Sequence, residues 1–499
     1  MDDSIGGRLR LLFGLNGAKR ALGRTARYHI RTFGCQMNES DSERLAGALE
    51  AAGYESAGSA GEADVMVCNT CSVREGAENR AYGYIGSLKG LKAGRPGSAV
   101  IVCGCMGGLE GARARLKGSY PFVDLVVGPN GDAEVIGFLL RNLQGESAAL
   151  GPSWEPMIGP KDGPGASGHA AEPIAEAVRD GGVKAWVSVM AGCDNFCSYC
   201  IVPYARGREA SRDPKGVLDE VRGLAGKGCK EVTLLGQNVN SYGKAFGGAG
   251  PEGWRGRFAR LGGDGPFRGG DPFSELIYRV ADVGGIERVR FMTSHPRDLS
   301  EGLLRCYAEC GKLCPHLHLP MQSGSTRVLR EMNRGYTKEA FLETVARVRA
   351  ARPGISVTTD VIVGFPGETE GDFEETMEAV RTAGFDFIFT FLYSDREGTP
   401  ASVRTDKVGA HVAGRRFREL ADLQGRMALE RNAAFVGRTL EVLCEGRSKH
   451  DPRKWAGRAP DNRIVNFAAS GRGPAELAGM AVGVRITEGR AWALDGELA

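Results

Sequence analysis

The sequence has no run approaching the roughly eighteen consecutive apolar residues that a helical membrane span needs, so no membrane partner is expected. Its first stretch, MDDSIGGRLRLLFGLNGAKR, lacks the apolar core and small-residue cleavage site of a secretory leader, and acidic Asp2 and Asp3 at its front speak against an organellar one. Residues 1–26 are therefore expected to form a flexible extension, and the protein to be cytoplasmic. A charge excess of either sign is also missing. With 64 Lys and Arg against 61 Asp and Glu, the net charge is only +3, so any nucleic-acid contact must be a local patch. The thirteen cysteines are odd in number and several share short fixed spacings, which in a reducing compartment fits metal ligation better than a disulfide framework.

What is present divides into segments. At 499 residues and 42% hydrophobic content, the chain can bury two or three cores. From 27 to 143, RYHIRTFGC, SDSERLAGALEAAG, ADVMVCNTC, VREGAENRAYGYIGSLKG and SAVIVCGC alternate strand and helix periods, which predicts an α/β domain with a parallel sheet. Residues 144–181, rich in Gly, Pro, Ala and Ser, read as a linker. From 182 to 410, six strand candidates (VKAWVSVMAG, EVTLLGQN, RVRFMTSH, PHLHLPMQ, ISVTTDVIVG and FDFIFTFLY) alternate with helical stretches. They predict a partial (β/α)6 barrel of the TIM type, with its chemistry at the carboxyl ends of the strands. Asp213 and Pro214 mark the N-cap and first position of one helix. The loop after Tyr242, GKAFGGAGPEGWRGRFARLGGDGPFRGG, reads as a disordered insertion. A connecting helix over 411–432 and a small OB-like β-barrel over 433–498 complete the expected α/β architecture.

Two sets of three cysteines stand out. Cys35, Cys71 and Cys105 each end a predicted strand, so a parallel sheet would bring them to one carboxyl edge, whereas Cys68 and Cys103 lie within strands and read as buried small hydrophobes. In GCDNFCSYCIVPYARGREASR, Cys193, Cys197 and Cys200 form CxxxCxxC. Three thiolates can hold three irons of a 4Fe-4S cube and leave the fourth iron open. A structural zinc site or a closed cluster would want a fourth ligand nearby, and the next cysteine, Cys229, comes only after a helix.

CDNFCSYC resembles the signature of the radical S-adenosylmethionine enzymes. With CNTCSVREGAENR, LLGQNVNSYG, FMTSHP, LHLPMQSGS and TDVIVGFPGETEGDFEET, the chain from about residue 27 onward resembles the methylthiotransferases, nearest the branch that modifies isopentenylated adenosine beside the anticodon of tRNA. Ala191, where many relatives carry a basic residue, and the long loop after Tyr242 depart from the pattern; the core motifs do not.

The resemblance implies two 4Fe-4S clusters, one on Cys35, Cys71 and Cys105 and one on Cys193, Cys197 and Cys200, together with S-adenosylmethionine and a carboxyl-terminal TRAM domain. It also implies a tRNA anticodon stem-loop with isopentenyladenosine as substrate, an electron donor such as flavodoxin or ferredoxin, and a sulfur donor. The barrel cluster would yield a 5′-deoxyadenosyl radical that takes hydrogen from C2 of the adenosine, and the amino-terminal cluster would present an already methylated sulfur for insertion. Tyr199 would lie against the cofactor's adenine, Gly236, Gln237 and Asn238 would meet its methionyl ammonium, and Ser294, His295, Gln322, Ser323 and Asp360 would line the cavity. Gly364 of GFPGE would let the backbone approach the ligand. Arg206, Arg208 and Arg212 would hold phosphates or a carboxylate at the barrel mouth. Arg447, Lys449, Arg453, Lys454, Arg458 and Arg463 around Trp455 suit phosphate tracking and base stacking. The alternatives are the same chemistry on threonylcarbamoyl-adenosine or a ribosomal-protein aspartate and, from another class, a non-catalytic iron–sulfur RNA-binding or electron-carrier protein.

Overall fold

VMVC and AVIVC are apolar at every position instead of at alternate ones, and the computed structural model, which describes residues 4–143, 172–179, 182–246, 251–259, 261, 267–468 and 477–499, shows why. Strands β1 (Arg27–Thr32), β2 (Glu55–Ser56), β3 (Val65–Thr70), β4 (Ala99–Gly104) and β5 (Leu125–Val126) form one parallel sheet in the order β2-β1-β3-β4-β5. Helices cover both faces, so β3 and β4 are buried throughout. Val65, Val67, Ile101 and Cys103 pack with helices Gln36–Ala51 and Asp132–Leu143, whereas Met66, Cys68, Val100 and Val102 pack with helix Glu75–Gly94. Cys68 and Cys103 are thus the core residues their strand positions suggest.

Residues 4–26 differ from the flexible extension expected over 1–26, of which 1–3 lie outside the described residues. Ile5–Ala21 is a helix capped by the Ser4 hydroxyl, Leu12 is buried in the core of the α/β domain, and Asn16 donates to the Ala52 carbonyl at 2.9 Å. Its apolar residues are too mixed with Gly and Arg to give a clear helical stripe, and it is tertiary packing that holds such a helix.

The central segment contains the six expected strands, β6 (Lys184–Ser188) and, after the short antiparallel pair β7 (Met190–Ala191) and β8 (Ala210–Ser211), β9 (Glu231–Leu235), β10 (Arg288–Phe291), β11 (His316–His318), β12 (Ser356–Val363) and β13 (Phe387–Leu392). They form two parallel three-stranded sheets, β10-β9-β6 and β11-β12-β13, joined by the bridge Val289–Leu313. Among the described residues β6 and β13 do not pair, so the barrel is open along one side. Helix Pro214–Gly226 begins as its sequence predicts, with the Asp213 carboxylate accepting from Lys215 N and Pro214 in the first turn.

The loop after Tyr242 is not wholly irregular. Pro251–Ala259 is a helix, and Trp254 and Phe258, four residues apart and so on one face, are buried in the barrel core. Residues 247–250, 260 and 262–266 lie outside the described residues, as does most of the expected linker. Its described part, 172–179, joins two domains: Val178 N donates to the Glu43 carbonyl, and Arg179 pairs with Glu43 at 2.9 Å and Glu220 at 2.6 Å.

Helix Ala410–Ala433 leads to a closed barrel of β14 (Thr439–Arg447), β15 (Trp455–Arg458), β16 (Ile464–Ala468), β17 (Ala481–Gly489) and β18 (Leu494–Leu498). Burial alternates along β17, as a small filled barrel requires. Arg288 and Arg290 on β10 reach the Arg458, Ala459 and Pro460 carbonyls and dock this barrel on the central one. No helix among the described residues is long and apolar enough to cross a membrane.

Candidate iron–sulfur and cofactor site

Strands β1, β3 and β4 run parallel and end at one edge, and a cysteine follows each end: Cys35, Cys71 and Cys105. Glycines make the turns. Gly34 has φ +134°, and a Cβ there would lie 2.7 Å from Cys71 Cβ; Gly104 has φ +89°, and a Cβ there would meet the Asn69 Oδ1 at 2.4 Å. Asn38 Oδ1 accepts from Cys35 N at 3.3 Å, while its amide donates to Asn69 Oδ1 and the Thr70 carbonyl, tying the first turn to the second. Burial, then the charges of Cys105 and Cys35, push the Cys71 thiol up to about 11.

Cys193, Cys197 and Cys200 follow β6 and β7 in a loop that turns at Phe196, φ +43°. Burial, with the neighbouring cysteines' charges adding, pushes Cys193 up to about 12 and Cys200 well up. Asn195 Nδ2 donates to Cys193 Sγ at 3.5 Å and Arg334 Nη1 to Cys197 Sγ at 3.3 Å. Arg334 is buried and also meets the Pro320 carbonyl, the Tyr336 hydroxyl and, at 3.5 Å, the Tyr199 hydroxyl. Sequence reading missed it; the one local signal is its place in NRG, between two positive-φ residues, Asn333 and Gly335. No three His, Cys, Asp or Glu side chains among the described residues converge on a single ion.

The two sets are neighbours. The helix Val202–Arg206, which follows Cys200, packs on the turn Cys105–Gly108. The second glycine of CMGG serves that contact: a Cβ on Gly108 would lie 2.3 Å from the Ala205 carbonyl oxygen, whereas one on Gly107 would meet the Val127 carbonyl oxygen within its own domain. A cavity of about 1090 Å³ opens at this boundary, lined among others by Ser72, Tyr82, Ile201, Tyr204, Tyr393 and Arg396 and by none of the six cysteines.

The strand ends of the central barrel present polar groups inward. Gly236 has no room for a side chain, since a Cβ would lie 2.5 Å from Met190 Cγ. Gln237 Oε1, Asn238 Oδ1 and Gln322 Oε1 are buried without a hydrogen-bond partner among the described residues, and Gln322 holds a strained φ of +71°. Unpaired buried carbonyl oxygens are costly, and acceptors of this kind fit an ammonium-bearing ligand. Asn238 Nδ2 donates to Asp298 at 2.8 Å, Ser294 Oγ to the His318 carbonyl, and His318 Nε2 stands 3.5 Å from Asp360. His295 is buried and Ser323 Oγ accepts from Ser325 N, so both are held inside the fold. Gly364, φ +76°, lies against Ala413 and donates its N–H to Glu368. Tyr199 packs on the small cluster of Val328, Met332, Phe365 and Ala401.

Several basic residues expected to face RNA do not. Arg206 is buried and pairs with Asp41 at 2.8 Å; Arg212 is buried between Glu172 and Glu220; Arg463 pairs with Asp461 and Asp386 and bonds Asn432. Arg458 bonds Asn462 and Glu445, and Lys454 pairs with Asp495. Trp455 is buried in the small barrel, with the Arg447 guanidinium 4.2 Å from its ring centre, so no base can stack there. Each charge is neutralised by a partner from a distant turn or strand, which composition cannot reveal. Arg208 remains half-exposed over Phe196 beside Asp194, and Lys449 and Arg453 remain at the surface. The exposed aromatics are elsewhere. Trp492, 67% exposed, meets Phe387 edge-on at 4.9 Å, and Phe387 meets Phe389, 42% exposed, at 4.8 Å along the open side of the central barrel.

Comparison with known proteins agrees with this layout. Residues 187–380 match the radical SAM superfamily, 27–128 the uncharacterized protein family UPF0004 and 433–499 the TRAM domain. A protein of Acetivibrio thermocellus named tRNA-2-methylthio-N(6)-dimethylallyladenosine synthase is 44% identical over 476 residues, which cover 95% of this chain and 92% of that one. A protein of the same name from Desulforamulus reducens is 43% identical, with 96% of each chain covered. Among solved structures, the radical S-adenosylmethionine methyltransferase TsrM from Kitasatospora setae superposes with a TM-score of 0.51 at 17% identity, covering 76% of this chain and 75% of that one, a likeness of fold.

Proposed function

This chain belongs to the tRNA-2-methylthio-N6-dimethylallyladenosine synthase family of radical S-adenosylmethionine enzymes, and from that premise we propose how its residues divide the work. The enzyme takes tRNA carrying N6-isopentenyladenosine beside the anticodon and converts that nucleoside to its 2-methylthio derivative, using two 4Fe-4S clusters and S-adenosylmethionine. When bound, the barrel cluster and its cofactor supply a 5′-deoxyadenosyl radical on reduction, and the second cluster supplies the sulfur.

Cys193, Cys197 and Cys200 are the residues assigned to the radical-forming cluster, and Cys35, Cys71 and Cys105 those assigned to the sulfur-bearing one. Gln237, Asn238 and Gln322 accept from the methionyl ammonium, while Gly236 and Gly364 let the backbone beside it pack closely on Met190 and Ala413. Arg334 fixes Cys197 and Tyr199 together, with Tyr199 facing the cofactor's adenine. Ser294 and Asp360 line the reaction cavity, and the open side of the barrel, edged by Phe389, admits the base. The observation that supports this division is the packing of helix 202–206 on the Cys105 turn, which makes the loops that carry the two cysteine sets neighbours. A flavodoxin or ferredoxin serves as electron donor, a separate donor replenishes sulfur, and the reaction takes place in the cytoplasm.

Nucleoside mass spectrometry of tRNA from cells with and without the gene tests the reading. The 2-methylthio-isopentenyl nucleoside should disappear and its isopentenyl precursor accumulate. Loss of a methylthio group from threonylcarbamoyl-adenosine or from a ribosomal protein would assign the substrate differently. Absence of 5′-deoxyadenosine on reduction would point to a binding protein instead.

A further inference from the structure

Helix 202–206 carries a charge into the boundary between the cysteine sets. Its last residue, Arg206, has only 4% of its side chain exposed and donates to Asp41 at 2.8 Å. Asp41 also faces Arg44 at 3.4 Å, and Arg44 is held by Asp132 as well. The contacts run Arg206–Asp41–Arg44–Asp132, so Arg206 is the positive end of a balanced row of charges. It ends the helix that packs on the turn Cys105–Gly108, so it stands at the boundary where the amino-terminal cysteines lie. The packing of Ala205 on Gly108 holds the helix against the Cys105 turn.

A 4Fe-4S core on three thiolates bears net negative charge, and one-electron reduction makes it more negative. A buried cation beside the thiolates favours the reduced form, because charges interact strongly where water is excluded. We propose that Arg206 is the counter-charge of the amino-terminal cluster, a positioning residue that raises the cluster's reduction potential, and not a contact for RNA. Arginine suits the place because its planar fork can hold Asp41 with one edge and face sulfur with another. The proposal rests on the assignment of Cys35, Cys71 and Cys105 as ligands.

The test uses the full chain with Cys193→Ala, Cys197→Ala and Cys200→Ala, so that the amino-terminal cluster is observed alone. Its midpoint potential is read by anaerobic titration with dithionite, the electron donor, and electron paramagnetic resonance, with iron counted in each sample. Arg206→Met should move the potential to a more negative value at unchanged iron content, Arg206→Lys should leave most of it in place, and Asp41→Asn should move it the other way. Unchanged potentials in iron-loaded Arg206→Met and Asp41→Asn would overturn the proposal. Should Arg206→Met take up no iron, Asp41→Asn decides, and the absence of a positive shift there overturns the proposal. A background protein that holds no iron refutes the ligand assignment itself, a result distinct from a loaded cluster whose potential does not move.

Discussion

Arg334 donates to Cys197 Sγ at 3.3 Å and, from the same guanidinium, to the Pro320 carbonyl at 3.1 Å. One planar group thus ties the cysteine loop to the turn after β11. Hydrogen bonds of this kind to metal ligands commonly account for about 10- to 100-fold in affinity or activity. Arg334→Met should therefore slow reductive formation of 5′-deoxyadenosine roughly 10- to 100-fold. Arg334→Lys should restore little, since an ammonium cannot fork. The rate is compared at equal iron content, and an undiminished rate in the Met variant would refute the role.

The division of labour between the cysteine sets predicts two phenotypes that do not overlap. Replacing Cys35, Cys71 and Cys105 by Ala should remove about half the iron and abolish sulfur insertion while leaving deoxyadenosine formation. Replacing Cys193, Cys197 and Cys200 should remove deoxyadenosine formation yet leave polar methyl transfer to an acid-labile sulfur. Labelled methanethiol released by acid, measured beside deoxyadenosine, reads both half-reactions. Full retention of iron in the first variant would sink the amino-terminal site.

His295 should make stability fall in acid. Burial first, and then the Arg334 charge, push its imidazole from 6.5 down to about 3. The unfolded chain therefore binds a proton that the folded one refuses. Stability is fully present above about 6.5 and declines as pH falls from there toward 3, with a slope approaching about 1.4 kcal/mol per pH unit from this group. His295→Gln should lose that component. Urea midpoints of both proteins at pH 7, 6 and 5 check it, and parallel profiles would count against it.

Trp492 and Phe389 should bind RNA by stacking. A base on an exposed ring contributes about 1–3 kcal/mol, so Trp492→Ala should weaken tRNA binding roughly tenfold without changing its salt dependence. Lys449→Ala should instead lower the salt slope by about 1. Both side chains are exposed, so melting temperatures should hold. Filter binding across a salt series separates the two effects, and equal affinity in the Trp492 variant would exclude stacking there.

Gly108 should be intolerant of even one carbon. A Cβ would lie 2.3 Å from the Ala205 carbonyl oxygen, a backbone atom with no rotamer to escape into. Gly108→Ala should cost about 1–3 kcal/mol. Gly83, with nothing within 4 Å and inside the helix Glu75–Gly94, is the control, where Ala should stabilise by about 0.5–1 kcal/mol. Denaturant unfolding of the two variants makes the comparison.

What the sequence by itself determined about this protein is what lies between near neighbours in the chain. The spacing of Cys193, Cys197 and Cys200, the six strand periods of the central barrel and the cap at Asp213 are local patterns, and their chemistry can be read where they stand. The parallel order of β1, β3 and β4 was legible enough to bring Cys35, Cys71 and Cys105 to one edge. Only the tertiary structure decided which charges are inside. Arg206 and Arg463 resemble the surface arginines around them, and what withdraws them from solvent is Asp41 and Asp386, on other elements of the fold. The helices at 5–21 and 251–259 likewise fold because Leu12, Trp254 and Phe258 find cores far along the chain. Trp455 went into the small barrel and Trp492 stayed out for the same reason. A side chain's type sets what burial costs it, and distant partners settle whether that cost is met.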